Sequence, residues 1–159
     1  MKIAITGPES SGKSAIAMEV AEHLGYVYLP ELARVSLQSI DYDFDDVQSI
    51  AKSQMNLWNQ YDDGVVLDTD VNVLEIWFEE KFDRLPDFWP DFQNQYPVDI
   101  TFLCAPDIPY EEDPLRENPH DRDRLFELYE ELLKGKGLKY VVLKGSMEER
   151  MKTVINAVN

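Results

Sequence analysis

Basic residues are scarce in this chain. Fifteen lysines and arginines stand against thirty-one aspartates and glutamates, a net charge of −16 over 159 residues. Such a surface repels a nucleic-acid backbone, so neither DNA nor RNA is expected as a main partner; the acidity either favours a cationic or neutral small substrate or serves only to keep the protein soluble. Cysteine occurs once, as Cys104 at the end of an apolar run. That excludes an internal disulfide framework and leaves a buried structural thiol as the reading. No hydrophobic run approaches the roughly 20 residues that a membrane helix needs. Strand-forming residues begin at Lys2, which leaves no room for a signal peptide, and a cytoplasmic protein is expected. His23 and His120 fall in no metal-ligand or triad spacing. Neither a zinc signature nor a dinucleotide-type glycine fingerprint is present. With no internal repeat and no linker, the chain reads as one domain over residues 1–159.

What is present is an alternation. Short apolar runs at 2–6, 26–29, 64–67, 98–104 and 139–143 have the look of strands. Helical periodicity fills the gaps: Val47, Ile50, Ala51, Met55 and Trp58; Val71, Leu74, Phe78 and Phe82; Leu125, Leu128, Tyr129 and Leu132. A final helix opens at Ser146 with Glu149 three residues on, a capping box, and continues through Met151, Ile155 and Val158. Runs such as Val65-Val66-Leu67 are apolar at every position, as strands covered on both faces must be, so the fold class is α/β with a five-stranded parallel sheet between two helical layers. The aromatic stretch from Trp77 to Tyr96 is read as core or as a dimer face, with one ring free to stack on a planar base.

The chemistry is concentrated just past the strands. Residues 7–14 read Gly-Pro-Glu-Ser-Ser-Gly-Lys-Ser, a G-x-x-x-x-G-K-[ST] loop between the first strand and an amphipathic stretch carrying Ile16, Ala17, Val20 and Ala21. Gly7 and Gly12 let successive backbone N–H groups of the loop, through Glu9, Ser10, Ser11, Lys13, Ser14 and Ala15, turn inward around phosphate oxygens. Lys13 then reaches the β- and γ-phosphates of ATP, and the Ser14 hydroxyl ligates Mg²⁺. Asp68, after the third strand, is the candidate to hold Mg²⁺ or its water, or to orient an acceptor hydroxyl. Asp70 either shares that work at the substrate or caps the helix that follows. Glu31 and Arg34 past the second strand either contact the acceptor or form a local ion pair on one helix face. Three of the six arginines, among them Arg116 and Arg122, fall within residues 116–124, in a proline-broken segment over 105–124. That segment reads as a lid closing over the triphosphate, with an acidic surface loop as the alternative. Gly145, after the fifth strand, either borders the adenine with backbone groups or simply turns the chain.

Together the 7–14 loop, Pro30-Glu31-Leu32-Ala33-Arg34, residues 50–54, Asp68-Thr69-Asp70, residues 106–110 and residues 145–150 follow a known order. The chain resembles the ribosylnicotinamide kinase domain of the bifunctional bacterial NAD-biosynthesis regulators, and related stand-alone P-loop proteins labelled AAA-type ATPases. The resemblance covers almost the whole chain. It implies a P-loop kinase fold in which Lys13 and Ser14 serve ATP and Mg²⁺, Asp68 and Glu31 face the reacting hydroxyl and ribose, and Arg116 and Arg122 act from the lid. It also implies transfer of the γ-phosphoryl of ATP to the 5′-hydroxyl of a nucleoside-like acceptor, nicotinamide riboside first among them. The family's lid carries a Trp and a Gly before its arginine, whereas Tyr110 and Pro114 stand in the comparable region here. The chain begins at the kinase strand, so adenylyl transfer is expected to need another protein. Kinases of another nucleoside or small metabolite, and a regulatory ATPase whose output is a partner-binding conformation, remain the alternatives.

Overall fold

Alternating side chains along the strands decide which helices cover which face. A computed structural model describes residues 1–37, 39–113, 115–117 and 120–159. Of the expected lid, Pro114, Asn118 and Pro119 therefore lie outside the described residues. Five strands, β1 (Lys2–Thr6), β2 (Val27–Leu29), β3 (Val65–Leu67), β4 (Ile100–Cys104) and β5 (Tyr140–Leu143), pair in parallel in the order β2-β3-β1-β4-β5. Successive strand residues point to opposite faces. Ile3, Ile5, Val66, Phe102 and Cys104 therefore meet α1 (Lys13–Leu24) and α7 (Met147–Val158) through Ile16, Ala17, Val20 and Val154. On the other face Val65 and Leu67 meet α3 (Phe44–Trp58), α4 (Val71–Phe82) and the short α5 (Trp89–Phe92). Leu103 meets Val73 and Ile76 of α4 together with Leu125, Tyr129 and Leu133 of α6 (Arg122–Gly135). The result is the three-layer α/β/α architecture with five parallel strands.

The differences from the sequence reading are local. Each of the last four strands starts one or two residues late; Gly64 has φ +65°, a left-handed conformation that a strand ladder does not accommodate. Two four-residue helices, α2 (Ala33–Ser36) and α5, are too short to show a period. Phe78, Trp89, Phe92 and Tyr96 pack into one buried cluster, so most of the aromatic stretch is core. Cys104 is fully buried, and burial pushes its thiol up to about 11, which removes it as a nucleophile at neutral pH. Because β1 is central, its loop emerges flanked by the ends of β3 and β4, in the crevice outside the carboxyl edge of the sheet.

Candidate functional site

The loop after β1 is held open by backbone geometry that only certain residues allow. Gly7 adopts φ +136°, and a Cβ there would lie 2.8 Å from the Cys104 carbonyl oxygen, so no side chain fits. Gly12 adopts φ +84° and immediately precedes Lys13, the first residue of α1, with no side chain capping the helix. Its open amino end is thereby left facing the loop's concavity, the arrangement that binds anions. Ser10 has φ +54°, an uncommon left-handed conformation for a residue with a Cβ. Inside the loop the Ser11 hydroxyl donates to Pro8 O at 2.7 Å, and Lys13 Nζ donates to Gly7 O and Pro8 O at 2.9 and 2.8 Å.

Two carboxylates stand near Lys13, and their surroundings differ. Asp68 is 2% exposed; its Oδ2 accepts from the Tyr28 hydroxyl at 2.7 Å, whereas Oδ1 is buried with no hydrogen-bond partner. Burial raises its pKa, against the opposing pull of the Ser14 and Tyr28 hydroxyls and of Lys13. An unsatisfied carboxylate oxygen beside a hydroxyl is a hard-oxygen donor pair, which fits Mg²⁺ with water and phosphate oxygens completing its shell. No cluster of three or more His, Cys, Asp or Glu residues suited to a metal occurs among the described residues, so a cation here would draw on such non-protein ligands. Glu31 lines the cavity in front of the loop. Burial raises its pKa as well, with Lys13 the largest opposing influence.

Asp70, by contrast, is committed to structure. Its Oδ1 accepts from Asn72 N and Val73 N at 3.1 Å, capping α4, and from Thr6 Oγ1 at 3.0 Å. Its Oδ2 accepts from Asn72 Nδ2 at 2.6 Å. It is 3% exposed and does not line the cavity, which corrects its placement among the substrate-binding residues. Arg34 does line the cavity, but its ion pair is with Asp113 of the lid segment at 2.5 Å and not with Glu31. The helix begins at Ala33, beyond Glu31, so the shared helix face never forms.

The segment after β4 folds back over the phosphate loop. Glu111 N donates to Ser10 Oγ at 2.8 Å, Glu117 N donates to the Glu9 carboxylate at 3.1 Å, and Arg122 Nη1 donates to Ser10 O and Ile108 O at 2.9 Å each. The two lid arginines part company here. Arg116 lines the cavity, donates to Glu111 O, and keeps a buried Nε without a partner. Arg122 holds the backbone carbonyls of Ser10 and Ile108 through Nη1 and does not line the cavity. Arg124 pairs with Asp121 and Glu80 on the surface. Beneath this cover lies a cavity of about 730 Å³. The phosphate loop forms one end; Val73, Ile76, Trp77, Leu115 and Tyr129 form an apolar wall, with Tyr42, Lys81 and Glu117 at its rim.

Several residues of this site carry no motif. Tyr28, Tyr42, Trp77 and Tyr129 reach it from four different elements or loops, and nothing local marks them. Trp77 Nε1 donates to the Tyr42 hydroxyl at 2.7 Å, which in turn donates to Glu117 Oε2 at 3.0 Å. Gly145 is also off the cavity wall; its N–H donates to Asp107 Oδ2 at 2.6 Å and its carbonyl accepts from Arg150. Arg150 was legible in principle, as a charge sharing the buried face of an amphipathic helix with Val154 four residues on.

A parallel sheet, a glycine-turned loop leading into an uncapped helix at its carboxyl edge and a cavity in front of that loop together define a P-loop protein with the architecture of nucleoside and nucleotide kinases. Residues 2–150 match the family described as AAA domain, and the chain belongs to that family. No curated protein matches it. Among solved structures, deoxyadenosine kinase from M. mycoides, with dCMP and dCDP bound, aligns at a TM-score of 0.74 and 18% identity over 100% of this chain and 99% of its own. The NadR protein in complex with NAD and AMP-PNP aligns at 0.75 and 20% identity over 91% of this chain and 44% of its own. Thymidylate kinase from Ehrlichia chaffeensis aligns at 0.67 and 15% identity over 100% and 98%. At these identities the likeness establishes the fold. No helix among the described residues is long and apolar enough to cross a membrane.

Proposed function

We propose that the protein is an ATP- and Mg²⁺-dependent small-molecule kinase that phosphorylates the 5′-hydroxyl of a nucleoside-like acceptor, nicotinamide riboside first among the candidates. One observation carries the reading: the phosphate loop opens into a covered cavity of about 730 Å³ whose far wall is apolar and aromatic. A plain hydrolase needs room only for a water beyond the γ-phosphate, whereas this cavity continues from the phosphate loop along an apolar, aromatic wall, which suits a second organic substrate. Structural likeness to kinases of several nucleosides and nucleotides supports phosphoryl transfer, and likeness to NadR, together with the motif order, supports the pyridine nucleoside.

In this reading Lys13 and the loop amides hold the β- and γ-phosphates, and Arg116 supplies a guanidinium over the transferring group. Bound Mg²⁺, held by Ser14 and Asp68, would neutralise phosphate charge. Glu31 orients the acceptor hydroxyl and takes its proton as the oxygen bonds to the γ-phosphorus and the bond to the bridging oxygen of ADP breaks. Its raised pKa places it closer to the range of a working base than an exposed glutamate. The docked lid excludes water from this step.

The deciding experiment measures ADP release with ATP and Mg²⁺ alone, and then with a panel of nucleosides that includes nicotinamide riboside. ADP that appears only with an acceptor, together with a phosphorylated nucleoside, is the expected result, and the panel names the acceptor. Slow release indifferent to every acceptor would replace the kinase with a regulatory ATPase.

A further inference from the structure

Arg150, in the first turns of α7, is 2% exposed, and its donors point at three separate loops. Nη1 donates to Ser11 O at 2.6 Å, Nη2 to Ala105 O at 3.0 Å and to Asp107 Oδ1 at 2.5 Å, and Nε to Gly145 O at 3.1 Å. We propose that Arg150 is a positioning residue for triphosphate binding: its guanidinium fixes the Ser11–Gly12 peptide so that Gly12 N–H faces the phosphate cradle, and locks that setting to the loops that follow β4 and β5. The inference rests on the reading of residues 7–14 as a loop that grips a nucleoside triphosphate.

The argument is one of peptide geometry. In a trans peptide the C=O and the following N–H point in opposite directions, so holding the Ser11 carbonyl from one side turns Gly12 N–H to the other. Arg150 approaches from behind the loop: the Cβ that Gly12 lacks would lie 3.3 Å from Nη1. The same glycine therefore admits both the left-handed turn and the guanidinium against its back. An oxyanion site gains most from donors that are already aimed before the ligand arrives, and a peptide left free to rotate would have to be ordered on binding.

Charge and orientation can be separated. Asp107 sits 2.5 Å from Nη2 and takes Gly145 N–H with its other oxygen, so the cation is compensated at once and adds little net field at the cradle. What remains is a planar fork that reaches carbonyls in three loops. A lysine ammonium keeps the charge but not the fork, so lysine does not substitute.

The test uses the whole chain with Arg150→Lys, Arg150→Ala and Asp107→Asn, calorimetric titration with MgATP and with magnesium tripolyphosphate, KM values for ATP and for the acceptor, and thermal melting. Arg150→Lys and Arg150→Ala are expected to weaken both phosphate probes by about 10- to 100-fold, with KM for ATP rising far more than KM for the acceptor. Millimolar ethylguanidinium is expected to restore part of the binding to Arg150→Ala. The Asp107 side chain is 37% exposed and asparagine is its isostere, so Asp107→Asn is expected to keep the fold and loosen the anchor, with a few-fold loss for ATP alone. The proposal is overturned by a folded Arg150→Lys that binds MgATP within about twofold of wild type. It is equally overturned by matched losses for ATP and acceptor without rescue, or by an Asp107→Asn variant with unchanged ATP affinity. A wild-type chain that binds neither phosphate probe would overturn the phosphate-loop reading itself, an outcome distinct from these.

Discussion

Glu31 and Asp68 show how two carboxylates near one lysine are set to different work. Asp68 is buried with one oxygen on Tyr28 and the other unpaired, whereas Glu31 lines the cavity. Burial raises the pKa of Glu31, and a carboxyl whose folded-state value lies above its unfolded value costs the fold stability once the pH passes the unfolded value, because the unfolded chain then releases its proton more readily. Below the unfolded carboxylate range Glu31 therefore carries no penalty. As the pH rises from there through the folded value, the fold loses stability relative to a chain with a neutral isostere at that position. Glu31→Gln is accordingly expected to melt higher than wild type at neutral pH, by roughly 2–4 °C for a gain on the order of 1 kcal/mol, with the difference vanishing in acid. In the same variant kcat should fall by about 10²- to 10⁴-fold, and the rising acid limb of the wild-type pH–rate profile should disappear. Melting curves and rate profiles across the acid range check both; a preserved acid limb would take Glu31 out of the proton transfer.

At the scale of elements, the strands, the phosphate loop and the five long helices were legible because each signal is local: a period, a glycine spacing, a capping residue. The capping box at Ser146 and Glu149 forms as written, and the odds between cap and substrate contact at Asp70 resolve to the cap because three donors converge on Oδ1. The lid was legible only as a composition. Arg116 and Arg122 look alike in sequence, yet one borders the cavity and the other binds carbonyl oxygens of Ser10 and Ile108, since backbone acceptors leave no residue signature to read. The lid's docking among the described residues includes a few part-buried and exposed polar contacts, which makes it separable from the fold. Glu117 joins Lys81 at 2.6 Å and Tyr42 at 3.0 Å, across to α4 and the residues before α3. A partly exposed ion pair contributes about 0.2–1 kcal/mol and a hydrogen bond about 1 kcal/mol, so Glu117→Ala should shift the melting point by no more than roughly 8 °C. It should nevertheless speed amide hydrogen exchange over 110–117 and increase ATP hydrolysis in the absence of acceptor. Exchange mass spectrometry reads the first effect directly, and an unchanged exchange pattern would mean that other contacts hold the lid.

Charge is the property of the whole molecule that the site must work against. Thirty-one acidic residues give the chain −16 overall, and its cavity mixes Lys13, Arg34, Lys81 and Arg116 with Glu9, Glu31, Glu80, Glu111 and Glu117, the positive helix amino end lying at the phosphate loop itself. The far field is therefore repulsive to an anion, attraction is confined to Lys13 and the helix amino end at the phosphate loop, and salt weighs on the two unequally. At an ionic strength of ~0.01 M the Debye length is ~30 Å, long enough for an approaching ligand to meet the summed negative charge; at ~0.15 M it is ~8 Å, short enough that only the cavity's own groups are felt. The association rate of MgATP, an anion, should rise as salt is raised between these limits. That of a cationic nucleoside such as nicotinamide riboside should fall, because screening removes an attraction instead of a repulsion. Stopped-flow association rates for the two ligands at both ionic strengths give slopes of opposite sign under this argument. Slopes of the same sign would mean that local charges around the cavity mouth, and not the net charge, govern how substrates arrive.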